Sequence, residues 1–126
     1  MISDTSAVLA VLYNEPDAPI FVDLMESNDI VLPASVVVEA GILATARNMK
    51  SDLDWLIEWM MATIIPLNES IAQKAVTAYE RYGKGRHKAS LNFGDCLVYA
   101  TAKHLNLPLL FKGNDFIYTD LLSVLA

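Results

Sequence analysis

At 126 residues, with 54% hydrophobic and 19% charged side chains, the chain is sized for one domain (1–126) and can bury a core, which excludes a disordered polymer. Its aliphatic residues come in short runs broken by Pro33, Pro66 and Pro108, none near the roughly 18–20 continuous apolar residues of a membrane span, so a soluble protein without a membrane partner is expected. A net charge of −6 excludes broad attraction to a nucleic-acid backbone and leaves only local contacts with one.

Met1 to Asp4 reads as a very short first strand, followed by a helix from about Ser6 to Tyr13 capped by Thr5 or Ser6. The acid at position 4, with no basic residue ahead of it, does not fit a secretory signal. Asn14-Glu15-Pro16-Asp17 punctuates the chain before a second helix from about Ala18 to Ser27, and Ile30 to Leu32 is a strand stopped by Pro33. The next helix carries Glu39. Helices near Asp52–Met61 and Glu69–Tyr82 flank a strand over Thr63–Leu67. In the second of them Ile71, Ala75, Tyr79 and Tyr82 recur at helical spacing until Gly83 ends the pattern. Asn92 starts a last helix to about Leu105, Pro108 to Phe111 is a strand, and Gly113-Asn114 turns the chain. Short apolar strands alternating with helices indicate an α/β domain around a mostly parallel sheet.

Four acids adjoin the most apolar segments: Asp4 after Ile2-Ser3, Glu39 after Val36-Val37-Val38, Asp95 before Cys96-Leu97-Val98, and Asp115 beyond Leu109-Leu110-Phe111. Ligands of open parallel sheets bind outside the carboxyl ends of the strands, where Asp4 and Asp115 fall. If the fold draws all four together, each pair about 4 Å apart repels by roughly 4 kcal/mol at an effective dielectric near 20. A divalent cation is the simplest remedy. Oxygen donors without thiolate or imidazole point to Mg²⁺ or Mn²⁺ rather than zinc, and the set reads as a metal-dependent phosphodiester hydrolase, foremost a small ribonuclease.

Each acid also has a structural reading. Asp4 can cap a helix, although Thr5 and Ser6 can take that role and free it. Glu39 shares its helical stripe with Ser35, Ile42, Leu43 and Ala46, and no basic residue lies three or four positions away. Asp95 in the first turn of a helix capped by Asn92 is favoured by the helix dipole. Asn92, Asp95, Tyr99 and Lys103 share one side of that helix, able to line a cleft, and Phe93, Leu97 and Ala100 another. Asp115 sits in a Gly-Asn-Asp turn.

Other catalytic sets are weaker. Cys96 lies in an apolar helix and reads as core, and as the lone cysteine it forms no internal disulfide, which fits a reducing cytoplasm. Walker, Rossmann and zinc-ligand spacings are absent. Four of the nine basic residues, Arg81, Lys84, Arg86 and Lys88, lie within eight positions around His87, and this loop is the candidate for holding RNA phosphates or is a solvated connection. In the helix near Asp52–Met61, Leu53, Leu56, Ile57 and Met60 share one face while Trp55 and Trp59 lie nearly opposite, a second apolar face that meets a partner or is buried within the domain.

Several segments taken together are recognisable: Asp4-Thr5-Ser6-Ala7, Val38-Glu39-Ala40, Tyr82-Gly83-Lys84-Gly85-Arg86-His87, Leu91-Asn92-Phe93-Gly94-Asp95-Cys96 and Leu110-Phe111-Lys112-Gly113-Asn114-Asp115-Phe116. In this order they closely resemble the VapC-type toxins of the PIN-domain ribonucleases. The resemblance implies a three-layer α/β/α sandwich and an acidic pocket holding Mg²⁺ or Mn²⁺ for endonucleolytic RNA cleavage. It assigns Asp4, Glu39, Asp95 and Asp115 to the metal, with Thr5, Ser6 and Asn92 as polar supports. It also implies a homodimer and a cognate VapB-type antitoxin beside the pocket, whose arginine could replace the metal's charge. Many PIN domains carry a further acid where this chain has Gly113, which bears on a second metal ion. The rivals are a noncatalytic interaction module with the PIN fold and, ranked lower, a phosphoacceptor domain using a lysine such as Lys112.

Overall fold

The computed structural model describes residues 1–125. Four strands, β1 (Ile2–Ser3), β2 (Val31–Pro33), β3 (Thr63–Ile65) and β4 (Leu109–Leu110), form a parallel sheet in the order β3-β2-β1-β4. Register pairs Ile2 with both Val31 and Leu109. Six helices accompany the sheet: α1 (Thr5–Leu12), α2 (Ala18–Ser27), α3 (Ala34–Ala46), α4 (Lys50–Met60), α5 (Glu69–Tyr82) and α6 (Phe93–Leu105). The arrangement is the expected three-layer α/β/α sandwich.

Ile2, Ser3, Leu32, Leu109 and Leu110 are buried, as in a parallel sheet covered on both faces, whereas Thr63 and Ile64 of the edge strand β3 are exposed. One apolar cluster joins these strands to Val8, Phe21, Val36, Leu53, Ile71 and the middle of α6. Chain order runs outward from β1 through β2 to β3, while β4 docks on the other side of β1. The switch point therefore lies between β1 and β4, and the crevice beyond their carboxyl ends is where such sheets bind ligands.

Most element bounds agree with the sequence within two residues, and local details differ in three helices. The first helix begins at Thr5 with Asp4 itself as its cap, because the chain leaves β1 with Asp4 in extended geometry (φ −77°, ψ 160°) that turns its carboxylate onto the Ser6 N–H. Phe93 lines a surface pocket with Cys96 and Leu97 but is itself 82% exposed at the first position of α6, ahead of the continuously buried run Cys96–Ala102. Tyr99, expected on a cleft-lining polar side, is largely buried within that run, and together with Lys103 it lines a groove between α5 and α6. On α3 only Val36, Ala40 and Ala44 are buried, so the stripe of Ile42 and Leu43 around Glu39 is surface.

In α4, Leu53, Leu56 and Met60 pack inward as expected. The tryptophans separate: Trp55 is 64% exposed, whereas Trp59 is half-buried beside Met25 and Met60 in a surface cavity. No helix among the described residues is long and apolar enough to cross a membrane.

Candidate metal-binding active site

Asp4 follows β1 and is almost fully buried. Its carboxylate accepts the Ser6 N–H at 3.2 Å and the Ser6 hydroxyl at 2.6 Å. The same hydroxyl accepts the Lys112 N–H at 2.9 Å, and the Asp4 N–H donates to the Leu110 carbonyl at 2.9 Å, so the start of α1 is laced to the segment leaving β4. Burial pushes the Asp4 carboxyl above its ordinary value against the opposing Ser6 hydrogen bonds, and the charge of Glu39 adds to the rise.

Asp95 comes from the first turn of α6, where a capping box fixes it: the Asn92 side chain accepts the Asp95 N–H at 2.9 Å and the Asp95 carboxylate accepts the Asn92 N–H at 3.1 Å. The capping reading is therefore realised, and one carboxylate oxygen remains outside the box. Burial, followed by the charges of Asp115, Asp4 and Glu39, pushes Asp95 up to about 6 despite the Asn92 hydrogen bond.

Glu39 on α3 is exposed, and its carboxylate rests against Gly94 of α6: a Cβ built on Gly94 would lie 2.7 Å from Glu39 Oε2. This approach was signalled by a glycine inside a helical turn, where its backbone freedom is otherwise a cost. Asp115 is exposed, two residues beyond Gly113, whose φ of +99° makes the turn. Thr5 is buried, and its hydroxyl has no hydrogen-bond partner.

The four acids thus share one electrostatic neighbourhood, without a ready coordination shell. Among the described residues, no three His, Cys, Asp or Glu side chains are placed to hold an ion together. The fit to a divalent cation rests on the donor chemistry. Hard oxygen donors, one of them buried (Asp4) and one half-buried (Asp95), both reluctant to ionise, are joined in the chain by the orphaned hydroxyl of Thr5, next to Asp4.

The basic residues each have their own contacts. Arg81 pairs with Asp120 at 3.6 Å and lies over the Tyr82 ring. Arg86 Nε donates to the Glu80 carbonyl at 3.1 Å, and the Lys88 ammonium sits 4.8 Å from the Tyr118 ring centroid. Lys84 belongs to the same loop, and its carbonyl accepts the Tyr79 hydroxyl at 3.2 Å. His87 is held by the Ala89 N–H at Nδ1 and by the edge of the Tyr82 ring, and Cys96 is buried with its thiol pushed up by burial and by Asp95. The Lys112 ammonium pairs with Glu15 and Asp17, which removes the lysine a phosphoacceptor site would use. Sequence reasoning missed Asp120, which accepts the Tyr99 hydroxyl at 2.5 Å and pairs with Lys103 at 3.1 Å.

Comparison with known proteins places the fold in a family. The PIN domain family profile matches residues 1–122. Ribonuclease VapC30 of Mycobacterium tuberculosis H37Rv is 39% identical, with 98% of both chains covered. The chain belongs to the VapC-type group of the PIN-domain family. Ribonuclease VapC28 of the same organism is 42% identical over 94% of this chain and 93% of its own. Among solved structures, the sarcin-ricin loop cleaving toxin VapC20 of M. tuberculosis superposes with a TM-score of 0.78 at 14% identity, covering 98% of this PIN domain and 97% of its own chain. A toxin-antitoxin complex from Klebsiella pneumoniae gives 0.73 at 18% identity, covering 94% and 92%.

Proposed function

We propose that this PIN domain is the ribonuclease toxin of a VapBC-type pair, an endoribonuclease that hydrolyses RNA phosphodiester bonds with Mg²⁺ or Mn²⁺ bound at Asp4, Glu39, Asp95 and Asp115. The observation carrying the reading is the mutual electrostatic influence of these carboxylates at the switch point between β1 and β4. When bound, a divalent cation supplies compensation for the clustered negative charge and activation of water for in-line attack on phosphorus.

The residues of the chain set the stage for that chemistry. Ser6 fixes the Asp4 carboxylate from α1, and Asn92 fixes Asp95 from α6 while leaving one of its oxygens for a ligand. Glu39 closes the α3 side against Gly94. Asp115 stands at the exposed rim, in reach of an incoming phosphate and its water. The Thr5 hydroxyl is available as a further polar support. From the loop, Lys84, Arg86 and Lys88, with Arg81 before it, offer positive charge to RNA phosphates.

One domain in the cytoplasm, forming a homodimer and neutralised by a cognate VapB-type antitoxin, completes the reading. The apolar pocket that exposed Val76 and Phe93 line with Leu67 and Tyr79 between α5 and α6 supports a partner-covered surface.

The test is gel-resolved cleavage of a mixed cellular RNA pool by the pure protein with Mg²⁺, Mn²⁺ or chelator, alongside Asp4→Asn and Asp95→Asn. Cleavage that needs metal and vanishes in both folded variants is expected. Cleavage retained in the variants rejects the site assignment, and inactivity of the intact protein under all conditions leaves the noncatalytic interaction module.

A further inference from the structure

We propose that the groove between α5 and α6, lined by Ser70, Gln73, Lys74, Thr77, Arg81 and Lys103, binds the phosphodiester backbone of single-stranded RNA on its way to the acidic site. The proposal rests on the ribonuclease reading and assigns its substrate a path outside the 84–88 loop.

The groove encloses about 390 Å³, and its polar lining consists of three cations, three hydroxyls (Tyr99 among them) and an amide, with no carboxylate. The nearby acid is Asp120, which Arg81 and Lys103 share, and its other oxygen is already taken by the Tyr99 hydroxyl at 2.5 Å. Lys74 is paired with no carboxylate among the described residues: its ammonium meets the Ser70 hydroxyl at 2.9 Å and His104 Nδ1 at 3.3 Å. Glu69 touches only the Gln73 amide, at 3.5 Å, at the amino end of α5. On a chain of net charge −6, this is a local surplus of positive charge.

Position favours RNA over an acidic peptide. Tyr82 stacks near Tyr99 while Lys74 meets His104, so α5 and α6 run antiparallel beside the groove. Asp95, Tyr99 and Lys103 follow one another at four-residue spacing on one face of α6. At 1.5 Å per residue, the Lys103 end of the groove lies ~12 Å along the helix from the proposed catalytic carboxylate. A backbone laid along that stripe would pass from cations to acids, the order a phosphodiester substrate requires. The 84–88 loop keeps its charge as well, since Arg86 meets the Glu80 carbonyl and Lys88 the Tyr118 ring, and the groove differs from it in being a walled cavity continuous with the α6 stripe that ends at Asp95.

The experiment measures binding of a fluorescent single-stranded RNA by anisotropy over a KCl series, in the Asp95→Asn background so that cleavage does not interfere. Lys74→Gln/Lys103→Gln is compared with Arg47→Gln/Lys50→Gln, which removes the same two charges outside the groove, and circular dichroism verifies folding of each. Each phosphate contact on a single strand contributes about 0.7 to the slope of log affinity against log salt. The double variant should therefore lose about 1.4 from the slope and bind roughly tenfold or more weakly, with the control unchanged. An unchanged slope in a protein that binds RNA overturns the groove and leaves the ribonuclease reading standing. A parent that neither binds nor, with Asp95 restored, cleaves RNA overturns both. An unchanged RNA slope with lost binding to a polyglutamate peptide overturns the proposal in favour of a protein partner.

Discussion

The Ser6 hydroxyl donates to the Asp4 carboxylate at 2.6 Å while accepting the Lys112 N–H at 2.9 Å, so one side chain ties the most buried acid of the site to the loop that carries Asp115. Removing it by Ser6→Ala leaves the Asp4 oxygen with the Ser6 N–H alone and turns the exposed Lys112 N–H to solvent. A loss of about 1 kcal/mol in folding free energy is expected, the net worth of such hydrogen bonds. The Ser6 bond also favours the ionised carboxylate, so its loss raises Asp4 further and weakens metal binding. Urea denaturation reads the first effect and a Mn²⁺ titration of the folded variant the second; unchanged values in both would remove Ser6 from the site.

Stability should depend on pH and metal in opposite senses. Asp95 titrates at about 6 in the folded chain against an ordinary 3.8, so the folded state holds the proton more tightly. Its contribution is complete below about pH 4 and is lost as pH rises through about 6. Mg²⁺ or Mn²⁺ binds the ionised form, so added metal should raise the melting temperature at pH 7.5 and have little effect at pH 5. Asp95→Asn should flatten both dependences. Thermal melts at the two pH values, with metal or chelator, decide it, and an equal metal effect at pH 5 would count against carboxylate binding.

The fold was readable because its signals are local and strong. Glu69–Tyr82 and Ala18–Ser27 form where apolar spacing and flanking punctuation agree, and Pro33 closes β2 as its missing N–H requires. The four acids stood out because Asp4, Glu39 and Asp95 adjoin apolar runs and Asp115 follows one across a turn. What escaped were pairings between distant segments. Asp120 meets Tyr99 and Lys103 across about one helix of sequence, and no periodicity predicts a side chain's partner 21 positions away. Lys112 reaches back 97 positions to Glu15 for the same reason. The basic loop looked like one cluster because its members are adjacent in the chain, whereas the fold sends Arg81 onto the α5–α6 side and Lys88 onto Tyr118.

The Tyr99–Asp120 bond should contribute to stability in its own right. Burial alone would raise Asp120, but hydrogen bonds from Tyr99 and Lys103 and the charges of Lys103 and Arg81 hold it below its ordinary value. The same contact, after burial, pushes the Tyr99 hydroxyl upward. Tyr99→Phe is expected to cost about 1–2 kcal/mol, the lower part of the range for bonds to charged groups because Asp120 is partly solvated. A depressed carboxylate contributes above its ordinary value and loses that contribution as pH falls below about 4, so the variant should lose stability less steeply on acidification. Urea midpoints between pH 3 and 7 measure this, and parallel curves for the two proteins would show the bond to be without weight.

Gly94→Ala separates the fold from the site. Gly94 is the second residue of α6, and alanine there favours the helix, by about 1 kcal/mol in an interior position and less at this end. The added methyl would nevertheless fall 2.7 Å from Glu39 Oε2, and the carboxylate at the end of a flexible side chain must swing away. A melting temperature equal to or above that of the parent is expected, together with weaker Mn²⁺ binding and slower RNA cleavage. Gly94→Ala combined with Glu39→Ala should then be no slower than Glu39→Ala alone, because the methyl acts only by displacing that carboxylate. Additive losses in the double variant would mean that the glycine serves the helix start itself, with Glu39 a bystander on α3.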